Sequence, residues 1–220
     1  MEMPIGFEVE GVHYFLYPVT LGTAYLISRE REGMAENLIE AFALASQEVR
    51  ENYRKSLCRI VAIQTFNKKE DILDYKTLSE RTNSFYHSLD DDGLFKLYDM
   101  IIDSFDDASF FIKQSGLDYD KRKLDKIAKY KSDEGNYSFG ARTAYGSIIG
   151  PACAKFGWSL DYVVWGIGYT NLQMLLADEH VSVYLNKEDR KKLRISPDRE
   201  IIDANDPANR EKIRQILKDN

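Results

Sequence analysis

The sequence predicts a mainly α-helical protein: a helical body with a small N-terminal β-hairpin and an apolar C-terminal helical extension. Three observations predict it. Apolar residues recur at three- and four-residue spacing through most of the 220 residues. Alternation at period two marks residues 6–17. Between Ala141 and Ala177 charges nearly vanish and small residues gather, among them Ala144, Gly146, Gly150, Ala152, Ala154 and Gly157. Hydrophobic residues make up 44% and charged residues 30%, which excludes wholesale disorder and allows a sizeable core.

In the hairpin, Phe7 and Val9 alternate on one side of Glu10-Gly11, and Val12, Tyr14 and Leu16 on the other, with Pro18 ending the pattern. Thr20 caps a short helix through Leu21, Ala24, Tyr25 and Ile27. Gly33 separates it from a periodic run: Met34, Leu38, Ala41, Phe42, Ala45, Val49, Tyr53, Leu57, Ile60 and Val61. No proline or glycine interrupts that run before Phe66, so it predicts one long helix or two nearly collinear ones. A helix is expected from Lys76 to Leu89. Asp90-Asp91-Asp92 then opens another, with Leu94, Leu97, Tyr98, Ile101, Ile102 and Phe105 on one face. Asp106 and Asp107 are expected to start a further short helix holding Phe110 and Phe111, closed by Gly116. Asp118 to Lys131 reads as helical and basic, and Ser132 to Gly140 as a loop. Pro151 kinks or starts a helix. Asp206-Pro207 resembles a cap and first position of a last helix, with Ile213, Ile216 and Leu217 on its apolar side. The expected organisation is a hairpin plus helical body over 1–131, a loop over 132–140, the apolar extension over 141–185, and a charged tail with a short helix over 186–220.

The extension carries the most informative segment, Trp158 to Asp178. Read as one helix, it is capped by Ser159, with Trp158 and Val163 as a hydrophobic staple and Asp161 in the first turn. One stripe runs Leu160, Val163, Val164, Ile167, Met174 and Leu175. A second runs Tyr162, Trp165, Tyr169, Leu172 and Leu176. A helix apolar on two faces is either fully buried or offers one face to a partner. Gly166 and Gly168 each cost about 1 kcal/mol in a helix interior, which is tolerated where another backbone comes close. The segment is about long enough to span a bilayer. It carries Asp161, Asn171 and Gln173, however, and a buried or partner-facing helix is expected. Met1 leads into acidic residues and a strand pattern rather than a signal peptide, so a cytoplasmic location is expected.

Catalytic chemistry finds little support. His13, His87 and His180 lie far apart, and Asp178-Glu179-His180 reads as a solvated helix end rather than a metal site. Neither a phosphate-binding glycine loop nor a G-x-S-x-G elbow is present. Asp90, Asp91, Asp92, Asp103, Asp106 and Asp107 do not follow a calcium-loop spacing and read as helix-start residues. Cys58 and Cys153 fit no metal spacing and no disulfide framework, and are expected as small core residues. No enzyme, metal or cofactor is expected. The net charge of −6 gives no global electrostatic case for nucleic acid or an anionic membrane. The basic run Lys121, Arg122, Lys123, Lys126, Lys129 and Lys131 reads as a solvated helix face or a patch for an acidic protein partner.

Tyrosine and tryptophan bury large areas while keeping a polar handle, which suits interfaces. Trp158, Tyr162, Trp165, Gly166, Gly168, Tyr169, Leu172 and Leu176 are therefore the candidate partner-binding residues, forming a face on which a helical partner lies. Replacing Trp165 and Tyr169 by Ala is then expected to abolish partner binding and leave the fold intact.

Two segments give the chain a family likeness. Phe7-Glu-Val-Glu-Gly-Val-His-Tyr14, followed by Tyr17-Pro-Val-Thr-Leu-Gly22, resembles the hairpin and short-helix start of the tail assembly chaperones of long-tailed bacteriophages and prophages. Phe156 to Asp178, built on Gly157-Trp158-Ser159, Tyr162, Trp165 and Asn171-Leu-Gln-Met-Leu-Leu-Ala-Asp178, resembles their C-terminal extension. Together these cover about a fifth of the chain. The resemblance implies a non-enzymatic role in the bacterial host cytoplasm. Members bind the tape measure protein, a long apolar helical chain, and keep it soluble while tail tube subunits polymerise around it. In many members the extension is attached by programmed frameshifting, whereas here both parts lie in one continuous chain. The competing expectations are a self-assembling structural subunit of a phage particle or scaffold, a homo-oligomer held by the apolar face, and a helical nucleic-acid-binding regulator using the basic run.

Overall fold

Glu10 and Gly11 both have positive φ, 50° and 79°, as a two-residue hairpin turn of the right twist requires. They join β1 (Ile5–Val9) to β2 (Val12–Leu16), antiparallel with Phe7 opposite Tyr14 and Val9 opposite Val12. The alternation places Phe7, Val9, Tyr14 and Leu16 towards the core and Phe15 on the other face, while Val12, beside the turn, is about half exposed. The computed structural model describes residues 3–35, 37–132, 142–178 and 183–194. It is mainly helical, and the hairpin is the only sheet among the described residues. The expected last helix after Asp206-Pro207 lies outside the described residues, as does the expected loop over 132–140 apart from Ser132, which is helical.

Helix α1 (Leu21–Glu30) begins with a reciprocal cap. The Thr23 N–H donates to Thr20 Oγ1 at 3.2 Å, and the Thr20 N–H donates to Thr23 Oγ1 at 2.9 Å. The long periodic run is two helices, α2 (Leu38–Leu44) and α3 (Gln47–Gln64). The break at Ala45-Ser46 has no glycine or proline behind it. It is held by Arg50, whose guanidinium donates to the Ala45 and Ala43 carbonyls at 2.9 and 3.4 Å and so satisfies the end of α2. After α4 (Lys69–Leu73) and α5 (Tyr75–Ser88), α6 runs unbroken from Asp91 to Gln114 with Asp90 as its N-cap. Asp106 and Asp107 do not start a new helix, because Ala108 and Phe105 continue the buried stripe across them. Gly116, at φ 79°, ends α6 as expected, and α7 (Leu117–Ser132) follows.

The core centres on the last two turns of α3. Leu57, Cys58, Ile60, Val61, Ala62 and Ile63 are all at most 1% exposed. A helix apolar all round must be surrounded, and the hairpin, α1, α2, α5 and α6 surround it. Arg54 fastens the more polar half of α3. Its guanidinium donates to the Tyr86 carbonyl at 3.2 Å, to the Leu89 carbonyl and to the Asp91 carboxylate, closing the end of α5 and the start of α6 together.

The described residues of Met1–Arg122 and Ser138–Glu179 form one compact unit, and those of Lys123–Tyr137 and His180–Asn220 a second. The apolar extension is therefore, over its described residues to 178, part of the first unit rather than an appendage. In the second unit, α7 meets α10 (Lys187–Leu193) through a hydrogen bond between the Tyr130 hydroxyl and Asp189 Oδ1 at 3.2 Å.

Two measurements follow. Arg54→Met leaves two helix-end carbonyls without a charged donor and should destabilise the protein by about 1–3 kcal/mol, whereas Asp91→Asn, at a half-exposed partner, should cost less. Urea unfolding of both variants reads the order directly. Burial pushes the Cys58 thiol up to about 11, while Cys153 is half-buried and also free. A thiol reagent should modify Cys153 in the native protein and reach Cys58 only on unfolding. Because the neutral thiol is the favoured native form, stability should fall as pH rises from about 9 towards 11.

Candidate functional site

The apolar extension does not form one helix from 159 to 177. Tyr145–Ile149 is a wide, π-type turn, followed by α8 (Gly150–Phe156), with Pro151 in its first turn. The Gly150 N–H reaches back to the Tyr145 carbonyl, and this widening keeps the proline ring off the preceding turn. Gly157, in a left-handed conformation at φ 66°, ends α8. A second π-type turn spans Tyr162–Gly166, closed by the Ile167 N–H donating to the Tyr162 carbonyl at 3.1 Å. Ile167 is extended, and α9 (Tyr169–Ala177) starts afresh after Gly168. The break falls between the two glycines, where helix propensity is lowest.

That break redistributes the eight candidate partner residues. Gly168 forms a β-bridge with Thr20, and the Tyr169 N–H donates to the Val19 carbonyl. The backbone that comes close to Gly168 is thus the chain's own hairpin exit. Trp165 packs on the main core and lies over Gly22, where a Cβ would sit 2.4 Å from the indole ring. Leu172 is fully buried and Leu176 packs beside it, in a second core built from Ile149, Ala152, Val163 and Ile167. The Tyr169 ring stands 6.3 Å from that of Phe105. Tyr162 remains 44% exposed, its ring lying across Gly166. It meets Trp158 edge-on at 5.2 Å, and Trp158 stacks on Phe156 at 4.5 Å. Of the eight, Tyr162 and Gly166 are exposed, Leu172 is buried, and the other five are half-buried. Lys69 of α4 binds the neighbouring Asp161 carboxylate, which holds its ammonium pKa above the usual lysine value.

A concave feature of this unit lies beside the hairpin exit. A cavity of about 490 Å³ sits among the open end of the hairpin, the strap Tyr17-Pro18-Val19, α6 and α9. Helix α6 supplies Met100, Ser104, Asp107 and Phe111, a stripe at i, i+4, i+7 and i+11. Helix α9 supplies Thr170, Asn171 and Met174, and Met3 and Ile5 stand at the rim, 78% and 44% exposed. Phe111, 45% exposed, and its neighbour Phe110, 56% exposed, extend the apolar surface outwards. Its volume falls within the roughly 300–1,000 Å³ that ligand pockets span. Its walls come from residues 3–19, 64, 100–111 and 170–174, so no local pattern in the sequence marks it.

Among the described residues, no three His, Cys, Asp or Glu side chains are grouped to hold a metal ion. No helix of the described residues is long and apolar enough to cross a membrane.

Trp165 packs against the main core and over Gly22, so replacing it bears on stability as well as on any partner face. Trp165→Ala should cost about 2–4 kcal/mol, somewhat below a fully buried tryptophan. Gly22→Ala should cost about 1–3 kcal/mol by overpacking. In the double variant the second penalty should largely vanish, since the indole that the new methyl meets is gone. Additive penalties in denaturant unfolding would mean that the ring does not rest on Gly22.

The chain matches no family model, and neither a curated protein nor a solved structure matches it.

Proposed function

We propose that this protein is a phage tail assembly chaperone: a non-enzymatic protein that binds an apolar helical partner, the tape measure protein, keeps it soluble and helps to recruit tail tube subunits. The observation that carries the reading is the cavity between hairpin exit, α6 and α9, open beside Phe110, Phe111, Met3 and Ile5. Methionines adapt to partners of varied shape, and three of them, Met3, Met100 and Met174, line it. A groove between helices is also the usual seat for an amphipathic helix. The two segments that carry the family likeness support the reading from another direction. They pack on each other, Gly22 under Trp165, Thr20 beside Gly168 and Val19 bonded to Tyr169, and together they border the cavity.

A second reading, a self-assembling structural subunit, draws on the hairpin. Val12 and Phe15 are 51% and 49% exposed, and neither outer strand edge has a strand partner among the described residues.

Co-expression with a tape measure protein, a long apolar helical chain, separates the two. Recovery of that protein in soluble form, in a complex with this chain on size-exclusion chromatography, is the expected outcome. An insoluble partner, together with a concentration-dependent oligomer of this chain alone, would transfer the function to self-assembly.

A further inference from the structure

Around α6, at about 100° per residue, three stripes follow one another. Leu94, Leu97, Ile101 and Ala108 are buried in the core. Met100, Ser104, Asp107 and Phe111 come next and line the cavity. Asp99, Asp103 and Asp106 come last, all exposed, with Asp107 at the border between cavity and acidic face. Asp99, Asp103 and Asp107 stand at successive i, i+4 positions, where like charges disfavour the helix. None of these four carboxylates has an ion-pair or hydrogen-bond partner among the described residues. Among the described residues, Asp107 is the only charged one in the cavity wall. The site thus combines an apolar recess with a margin of unpaired carboxylates on one side.

We propose that the cavity receives an amphipathic helix of a partner protein whose apolar anchor side chains enter between Met100, Phe111 and Met174, and whose Lys or Arg residues, one turn away, face Asp103 and Asp107. Apolar anchors supply the burial and the basic residues fix the register, so that an apolar helix with an acidic flank is rejected. This inference rests on the reading of the protein as a binder of apolar helices, and it names the chemistry of the segment that is bound.

The test uses the full chain carrying ¹³C-methyl methionine and two synthetic 18-residue helical peptides, one of Leu, Ala and Lys, the other with Glu in place of every Lys. The Lys peptide should shift the methyl signals of Met100 and Met174 and leave that of Met34, which packs against the main core, unmoved. The Glu peptide should bind at least about tenfold more weakly. In the Asp103→Asn/Asp107→Asn variant, whose changes are exposed and remove a like-charge pair, the gap between the peptides should narrow. Equal binding of both peptides to the native chain, no binding of the Lys peptide, or binding that leaves Met100 and Met174 unmoved would each overturn the proposal. Methyl shifts as expected without rescue of the co-expressed partner would keep the pocket and remove the phage role. Rescue of that partner without methyl shifts would do the reverse.

Discussion

Four residues, Tyr17-Pro18-Val19-Thr20, hold the first unit together by backbone pairing. The Tyr17 N–H donates to the Gln64 carbonyl at 2.9 Å, and the Gln64 side-chain amide returns a hydrogen bond to the Tyr17 carbonyl. The Val19 carbonyl accepts from Tyr169, and Thr20 bridges Gly168 while capping α1. Hairpin, central helix, α1 and α9 therefore meet on one short extended strap. Proline in that strap lacks an N–H, so its position leaves no donor unsatisfied while it keeps the chain out of helix. The strap also decides where the cavity lies. It cannot fill the space between α6 and α9, because its polar groups are engaged with α3 on one side and α9 on the other.

The same strap explains why a stretch so apolar is compatible with an acidic, well-charged chain. Residues 142–178 face inwards in two directions. Trp165 joins the main core across Gly22, and Val163, Ile167 and Leu172 form a second core with Ile149 and Ala152. A single straight helix could not reach both, since its two faces are fixed by the 3.6-residue repeat. The break at Ile167-Gly168 turns the chain between one core and the other. Glycines that look costly in a helix are thus placed where no helix has to continue.

Local rules made much of the fold legible. The hairpin, the Thr20 cap, the Asp90 start of α6 and the Gly116 stop each depend on two to four neighbouring residues, and each stands where the sequence places it. The errors share one cause, which is contact with residues far away or with a side chain reaching back. Arg50 ends α2 in a run without glycine or proline. Packing of Ala108 carries α6 across Asp106-Asp107. Thr20 captures Gly168 from across the chain. Of the candidate site residues, Trp165 and Leu172 were visible as large apolar groups, but their side of the helix depended on that capture. The stripe Met100, Ser104, Asp107 and Phe111 carried a usable signal, an apolar-polar mixture bordering a buried stripe. It gains meaning only once α9 and the hairpin supply the opposite wall.

Burial of Leu172 and packing of Trp165 against the main core change what a chaperone reading requires. A partner face spread over eight aromatic and apolar residues would have to stay soluble in the free protein, and exposed patches of that size drive association. With Leu172 buried and Trp165, Gly168, Tyr169 and Leu176 partly buried, the exposed apolar groups beside the cavity are Met3, Ile5, Phe110 and Phe111 at its rim. Asp103, Asp106 and Asp107 stand next to Phe110 and Phe111 on the same exposed helix. Repulsion between such margins on two copies opposes self-contact there, while a segment with basic flanks meets attraction. An apolar pocket edged with one sign of charge therefore has a physical route to holding a foreign helix without first binding its own copies.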